Sequence, residues 1–174
     1  MTDTMSRPSA ILQPGKLFIG GEWIAPSSAS VIEVVDSSNE EVFLTVAEAQ
    51  SADVDRAVAA ARQAFDAASW PRMSPQERAV YLNLIADGLA ARGDQLADSW
   101  TQESGVLRSM AAYAGGGLSA TVRYYAGLAE SFAWEQKHTS AFGQPALLVR
   151  EPVGVVAAIV PWNAPGQLMT QKVA

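Results

Sequence analysis

The stretch "EPVGVVAAIVPWNAPG", residues 151–166, places one polar side chain, Asn163, shortly after a run of apolar residues. The side-chain amide of asparagine is a neutral donor of two hydrogen bonds. In a site shielded from water, such a donor stabilises an oxyanion that develops during a reaction, typically by about 2.7–4 kcal/mol. An asparagine in front of a helix also serves as an N-cap, so the pattern by itself leaves both roles open.

The residues around Asn163 predict a strand followed by a helix. Residues 153–160 are continuously apolar, which is typical of a strand buried on both faces of a parallel sheet. Pro161 ends the strand because it has no N–H to donate, and Pro165 suits the first position of a helix. In open α/β sheets, ligands bind outside the carboxyl ends of the strands, and Asn163 falls at that end.

Composition excludes several classes of protein. The 174 residues carry 12 basic and 18 acidic side chains, a net charge of −6, which argues against nucleic acid or an anionic membrane as a partner. The chain has no cysteine, so we expect no disulfide framework and no thiolate metal site. We also expect a cytoplasmic protein, because the first residues lack the apolar core of a signal peptide and the longest apolar run is too short to cross a bilayer.

Four strands are predicted before the first helix. Residues 1–15 are polar and proline-containing, and we expect a flexible N-terminal arm there. "KLFIGGEW", residues 16–23, predicts two short strands around a tight Gly-Gly turn. Residues 30–36 and 41–49 predict two further strands, so that the whole segment forms a β-meander.

Two helices with capping signals follow. Ser51 is expected to cap a helix whose apolar face is Val54, Val58, Ala61 and Phe65. Ser74, Pro75 and Glu77 form a capping box that starts a second helix. Its predicted apolar face is Val80, Leu84, Ile85 and Leu89, and Gly93 is expected to end it in the left-handed conformation.

Further helices are predicted up to residue 134. Asp94 is expected to cap a shorter helix that Gly105 stops. Residues 108–134 predict one longer helix with three consecutive glycines, Gly115, Gly116 and Gly117. Each glycine costs about 1 kcal/mol relative to alanine in a helix. The run indicates either a kinked helix start or a close approach of two backbones.

The segment "REPVGVVAAIVPWNAP", residues 150–165, resembles the aldehyde dehydrogenase superfamily, in which a strand beginning E-P-x-G-V leads into P-W-N. Other stretches resemble the family in the same order: "KLFIGGEW", "VDRAVAAARQAFDAASWPRMSPQERAVYL", "TQESG" and "YYAGLAE". The likeness covers nearly the whole chain. It implies an α/β fold that is the N-terminal portion of an aldehyde dehydrogenase, with a β-meander, helices, oligomerisation strands and the first strand of a Rossmann-like cofactor domain.

This resemblance implies domain boundaries as well. Residues 16–135 are expected to form the N-terminal strands and helices of the cofactor-binding domain. Residues 136–152 are expected to form the oligomerisation strands. Residues 153–174 are expected to form the first strand and the helix start of a Rossmann-like core that is incomplete in this chain.

The implied activity is the NAD- or NADP-dependent oxidation of an aldehyde to a carboxylic acid. In the family a cysteine thiolate attacks the aldehyde, an asparagine amide and a backbone N–H hold the oxyanion, and a water activated by a glutamate releases the acid. Asn163 matches that asparagine. The positions that line the ribose and nicotinamide side of the cofactor are matched by Ile159, Val160, Pro161 and Trp162. A small aldehyde substrate and a homo-oligomeric full-length form are implied too.

Departures from the family limit what this chain is expected to do alone. Without a cysteine it lacks the nucleophile, so we expect no activity from the chain by itself. Glu103 matches a helix end and Glu151 precedes the strand at its far end, so neither is expected to replace the family's general base. His138 lies in a polar stretch before the oligomerisation strands and is expected to be solvated. Ala164 stands where the family often has phenylalanine, which implies a wider mouth for the substrate or a different subclass.

Two functions remain open from the sequence. The chain is either the N-terminal part of an aldehyde dehydrogenase, or a non-catalytic domain that associates with full-length aldehyde dehydrogenase subunits and modulates them. The residues that would choose between NAD and NADP are not found in this chain.

Overall fold

A computed structural model describes residues 11–174 of the chain. Six short strands and six α-helices follow one another in mixed order, and short 3-10 turns lie at Trp70–Arg72 and Leu128–Glu130. The strands are β1 (Leu17–Ile19), β2 (Glu22–Ile24), β3 (Val31–Val35), β4 (Val42–Ala47), β5 (Glu135–Thr139) and β6 (Pro145–Val149). The helices are α1 (Ser51–Asp66), α2 (Pro75–Ala91), α3 (Gly93–Ser104), α4 (Arg108–Ala111), α5 (Ala114–Gly127) and α6 (Pro165–Val173).

Gly20 and Gly21 join β1 to β2 in a two-residue turn. Both have positive φ, 64° and 88°, a conformation that glycine adopts without strain. Leu17 lies opposite Ile24 in the antiparallel pair. The strand pair predicted around the Gly-Gly turn is therefore confirmed.

The predicted β-meander is wrong, because β2 and β3 do not pair. The described strands form three separate two-stranded sheets, β1 with β2, β3 with β4, and β5 with β6. The connection between β2 and β3 is instead bound to α1. The backbone N–H and the hydroxyl of Ser27 donate to the Asp53 carboxylate over 3.0 and 2.8 Å.

The first helix is attached through this carboxylate rather than through its apolar face. α1 begins at Ser51 with Gln50 as N-cap, one residue earlier than predicted. Asp53 is 1% exposed, whereas Val54 and Val58 of the predicted face are exposed. The predicted apolar face of α1 is thus not buried within the described residues.

The capping box of α2 is confirmed in detail. The backbone N–H of Glu77 donates to Ser74 Oγ over 3.2 Å, and the backbone N–H of Ser74 donates to Glu77 Oε2 over 2.7 Å. These bonds satisfy donors that the first turn of a helix leaves without partners. Pro75 occupies the start of the helix, as the sequence predicts.

The face that α2 buries differs from the predicted one. Val80, Leu84 and Ile85 are exposed, and of the predicted face Leu89 alone is half-buried. α2 packs mainly on α5, and the buried residues between them are small: Ala86 is fully buried and Val122 is 2% exposed. Close packing of two helices selects small residues at the contact, so the larger apolar side chains lie on the opposite side.

Gly93 does not end α2 in a left-handed conformation but begins α3. Its role is a close approach of backbones. A Cβ built on Gly115 would lie 2.3 Å from the Cα of Gly93, a separation that no real side chain tolerates. Gly105, by contrast, ends α3 with φ of 67°, as predicted.

The single helix predicted over residues 108–134 is wrong. The chain forms α4 and then α5, and the break lies at residues 112–113, just before the glycine run. Of the two predicted alternatives, Gly115 fits the close approach of two backbones. A Cβ on Gly116 or Gly117 would lie in open space. The glycines thus have different roles, which a run of identical letters does not reveal.

Strands β5 and β6 form an antiparallel hairpin in which Glu135 lies opposite Val149. His138 lies within β5, opposite Ala146, and not before the strands as expected from the sequence. The helix predicted at Pro165 is confirmed as α6, with the proline in its first turn.

The predicted strand over residues 153–160 is not formed. Residues 150–161 have no ladder partner among the described residues, and Val153 and Ile159 are 94% and 82% exposed rather than buried. A strand needs a neighbouring strand for its backbone hydrogen bonds, and no described strand lies beside this segment. Gly154, with φ of 112°, also departs from regular strand geometry.

The N-terminal arm and the domain boundaries stay predictions. Residues 1–10 lie outside the described residues, and the carbonyl of Pro14 accepts from the backbone N–H of Ala47 over 2.7 Å. Among residues 11–174, every helix is too short or too polar to cross a bilayer.

Candidate active site

Asn163 lies in the turn between the unpaired segment 150–161 and helix α6. The N-cap of α6 is Ala164, and no side chain caps the helix. The N-cap interpretation of Asn163 is therefore wrong by one residue. Asn163 is exposed, and its amide forms no hydrogen bond with another described residue, so the amide is available to a ligand.

Helix α3 holds the backbone of this turn. Trp100 Nε1 donates to the carbonyl of Asn163 over 3.0 Å, and Ser104 Oγ donates to the carbonyl of Trp162 over 3.2 Å. Two successive carbonyls are thus fixed by side chains one helical turn apart. The bonds orient the peptide that carries Asn163 while leaving its side chain unused.

Helix α6 is fixed on α5 from the other side of the turn. A Cβ built on Gly166 would lie 3.1 Å from Leu118 Cδ1, which is a tight contact. Gln167 Nε2 donates to Thr121 Oγ1 over 3.2 Å. Thr170 is buried, and its hydroxyl donates to the carbonyl of Gly166 over 3.1 Å. The turn at Asn163 therefore spans two anchored elements.

A cavity of about 450 Å³ lies beside the turn, between α3, the segment leading into α5, and the start of α6. Most of its lining is apolar, and the wall nearest the turn is Ala164 with Pro165. The lining residues are Leu96, Ser99, Trp100, Glu103, Met110, Tyr113, Ala114, Gly117, Leu118, Ala164, Pro165, Gly166 and Gln167. Such a cavity suits an apolar ligand whose polar end reaches the turn.

Glu103 is the acidic residue of this lining. Desolvation raises the pKa of its carboxyl above the ordinary value, although the side chain remains exposed at the cavity rim. From the sequence, Glu103 is identified only as a helix-end residue, and its place in the cavity lining is not predicted. The signal that could have found it is its spacing from Trp100, three residues along α3, which puts both on one face.

Ile159, Val160 and Pro161 belong to the segment without regular secondary structure that precedes Asn163, and Trp162 belongs to the turn itself. Ile159 and Trp162 are 82% and 76% exposed, and none of the four carries a charge. Exposed apolar side chains on an unpaired backbone can contact a ligand through their apolar surface and through backbone groups that no strand uses. They do not provide the cationic or N–H-rich surface that a phosphate requires.

The other polar residues considered from the sequence do not join this site. His138 lies on β5 and Glu151 at the far end of the segment 150–161, both exposed. Within residues 11–174, histidine and acidic side chains do not gather in a group of three that could hold a metal ion. The described site therefore consists of one amide, two anchored carbonyls and an apolar cavity.

Comparisons of this chain with known proteins all identify the same family. The model of the aldehyde dehydrogenase family matches residues 23–174. Geranial dehydrogenase from Castellaniella defragrans is 39% identical over 91% of this chain and 33% of its own length. The NADP/NAD-dependent aldehyde dehydrogenase PuuC from Escherichia coli is 37% identical over 86% of this chain and 30% of its own length. The chain thus spans about a third of the length of these curated relatives.

Solved structures similar to this chain belong to the same family. The Mycobacterium tuberculosis aldehyde dehydrogenase complexed with NAD+ is 40% identical with a TM-score of 0.83, covering 91% of this chain and 33% of that one. A point mutant of Staphylococcus aureus betaine aldehyde dehydrogenase with NAD+ is 28% identical with a TM-score of 0.84, covering 92% of this chain and 32% of that one. The predicted α/β fold class is confirmed as the corresponding third of this fold.

Proposed function

Because the chain belongs to the aldehyde dehydrogenase family, we propose that it is the N-terminal part of an NAD(P)-dependent enzyme that oxidises an aldehyde to a carboxylic acid. The supporting observation is the anchored turn at Asn163 beside an apolar cavity. In the overall reaction, aldehyde, water and the oxidised dinucleotide give carboxylic acid, the reduced dinucleotide and a proton. When bound, NAD or NADP supplies the hydride acceptor.

Asn163 is proposed to donate its amide N–H to the oxygen of the aldehyde as that oxygen becomes an anion. A hydrogen bond from the amide to an anionic oxygen is stronger than one to a neutral carbonyl, so the amide favours the charged state. The bonds from Trp100 and Ser104 fix the peptide beforehand. An amide positioned in advance loses little freedom when the oxyanion forms.

Ile159, Val160, Pro161 and Trp162 are proposed to contact the ribose and nicotinamide side of the cofactor. The exposed apolar side chains of Ile159 and Trp162 and the absence of a pairing strand among the described residues support that role. The contacts depend on shape and backbone, so single substitutions there are expected to change affinity only modestly. The four residues directly precede Asn163 in the chain. The residues proposed to hold the cofactor and the residue proposed to hold the oxyanion are therefore neighbours.

The thiolate of the family mechanism is proposed to lie outside these 174 residues, which contain no cysteine. The chain by itself should therefore give no reduced dinucleotide when mixed with aldehydes and NAD or NADP. Absorbance at the nicotinamide band would measure this, against a boiled control. Cofactor-dependent turnover by the isolated chain would show that a thiol is not required.

The cavity is proposed to receive the aldehyde's organic group, with Ala164 leaving a wide mouth. We keep the cytoplasmic location and the homo-oligomeric full-length form as predictions made from the sequence and the family resemblance. The exposed β6 strand, Pro145–Val149, supports the second of these, because an unpaired strand edge can add to the sheet of another subunit.

The deciding experiment replaces Asn163 with alanine in a full-length protein that contains this sequence. We expect kcat to fall by roughly 10²–10³-fold, with little change in cofactor affinity, because the amide acts on charge that develops after attack. Asn83→Ala is the matched control, since Asn83 lies on α2, where its amide donates to the carbonyl of Ala79 and accepts from Arg123, away from the turn at Asn163. An unchanged kcat in Asn163→Ala would remove Asn163 from the mechanism.

A further inference from the structure

The cavity beside Asn163 has an acidic residue in its described lining but no basic one. Among the described residues that line it, none is basic, and the ionisable ones are Glu103 and Tyr113. The remaining lining consists of apolar or neutral polar side chains. A ligand in this cavity therefore meets one carboxyl group at the rim and no compensating cation in the wall.

Two arginines on the surrounding helices are engaged by carboxylates. Arg108 on α4 donates to Asp98 over 2.7 Å and to Asp94 over 3.3 Å. Arg123 on α5 forms an ion pair with Asp87. An anionic ligand would have to compete with these carboxylates for a guanidinium, which makes binding of a second negative charge unfavourable.

We infer that this cavity takes uncharged aldehydes with a bulky apolar group, and that Glu103 disfavours aldehydes that carry an additional carboxylate. The inference rests on the proposed function only for the identity of the reacting group. Apolar walls favour burial of a hydrocarbon group. A carboxylate entering the same space loses hydration and is repelled by Glu103 as well.

The cavity can be probed without any turnover. Octanamide and octanoate have the same length and shape at the polar end, and they differ in charge. Ligand-observed NMR titration of the 174-residue chain at about pH 8, well above the ordinary carboxyl pKa, gives an affinity for each. Protein concentration is kept where light scattering shows constant mass. We expect octanamide to bind at least about tenfold more tightly than octanoate.

Glu103→Gln separates the carboxyl's contribution from the general cost of burying an anion. Octanoate affinity should rise by about three- to tenfold, as expected for loss of one partly exposed repulsion, and octanamide affinity should stay the same. Glu135→Gln, an exposed glutamate on β5, is the matched control and should change neither. An unchanged octanoate-to-octanamide ratio in Glu103→Gln would overturn the role of Glu103.

Variants of two adjacent glycines test whether the ligand binds in this cavity. Gly117 lines it, and a Cβ there meets nothing within 4 Å, so the side chain of Gly117→Leu starts in open space beside the cavity. Gly116 is equally open but does not line the cavity. Gly117→Leu should abolish octanamide binding while Gly116→Leu preserves it, with circular dichroism confirming that both fold.

Equal effects of the two leucine variants, or no binding of either probe to the native chain, would refute the cavity as the ligand site. These outcomes are independent of the Asn163 experiment. If Asn163→Ala leaves kcat unchanged, the proposed catalytic role fails while the charge preference measured by binding still stands. If the probes fail to bind, the catalytic role of Asn163 is untouched.

Discussion

The indole N–H of Trp100 donates to the backbone carbonyl of Asn163 over 3.0 Å, although the two residues are 63 positions apart in the chain. This bond joins α3 to the turn that carries the catalytic candidate. A carbonyl fixed in this way fixes the peptide plane next to the Asn163 Cα. We therefore assign Trp100 a positioning role, acting on Asn163 through its backbone.

Trp100→Phe keeps an aromatic ring in the cavity wall and removes the donor. In the full-length enzyme we expect kcat to fall by about three- to tenfold, the equivalent of one hydrogen bond, with KM for the cofactor unchanged. Trp70→Phe, which alters an exposed indole packed on Tyr81, should leave kcat as it is. Equal losses in the two variants would mean that the Trp100 donor does not position Asn163.

Gly115 and Gly116 should respond in opposite directions to alanine. The new Cβ in Gly115→Ala would clash with the Gly93 backbone, so we expect destabilisation of about 1–3 kcal/mol. Gly116→Ala enters open space and should stabilise α5 by up to about 1 kcal/mol, because alanine is the better helix former. Chemical denaturation of the two variants would measure both signs, and a neutral Gly115→Ala would refute the close approach.

Asp53 should make the stability of the chain sensitive to acid. Hydrogen bonds from the backbone N–H of Gln50, and then from Arg56 and Ser27, lower the pKa of Asp53 to about 2. The unfolded carboxyl titrates near 3.8, so the stabilisation is fully present above about pH 4 and is lost as the pH falls toward 2.

Asp53→Asn should therefore lower the melting temperature by several degrees at neutral pH and flatten its decline below about pH 4. Asp55→Asn alters an exposed carboxylate on the same helix and serves as control. Thermal melts followed by circular dichroism across this pH range test the expectation. It fails if the two variants show the same pH profile as the native chain.

The chain alone should self-associate through the segment 150–161. Val153 and Ile159 are among its exposed apolar side chains, and patches of this kind favour association. Size-exclusion chromatography with light scattering should show a mass above that of the monomer, reduced by the double change Val153→Glu and Ile159→Glu. Leu12→Glu, at an exposed leucine outside the segment, should leave the mass unchanged. A monodisperse native monomer would contradict the prediction.

The features that the sequence predicts correctly are those with local causes. The Gly20-Gly21 turn, the Ser74 capping box and the Gly105 helix end each depend on residues within one turn of the chain. Their side chains or backbone angles decide the local conformation whatever packs on them. The start of α6 at Pro165, shortly after Asn163, was predictable for the same reason.

The features that it predicts wrongly depend on distant partners. Periodicity shows that Val80, Leu84 and Ile85 share a face of α2, but it does not show that α5 approaches the opposite face. The apolar run 153–160 has the composition of a buried strand, yet a strand also requires a neighbour. The bond from Trp100 to Asn163 was not predictable either, because nothing local links residues so far apart.

The unpaired segment 150–161 has a thermodynamic consequence for Asn163. It forms no ladder bonds with the described strands, so a sheet that pairs with it would fix the backbone of about a dozen residues. Fixing a free residue costs about 1–2 kcal/mol of conformational entropy, which sets an upper bound on the order of 10–20 kcal/mol for the segment. Docking of such a sheet would have to offset that loss, and it would rigidify the peptide immediately preceding Asn163. The Asn163 amide would then become fixed in position in the same cooperative step that completes the sheet.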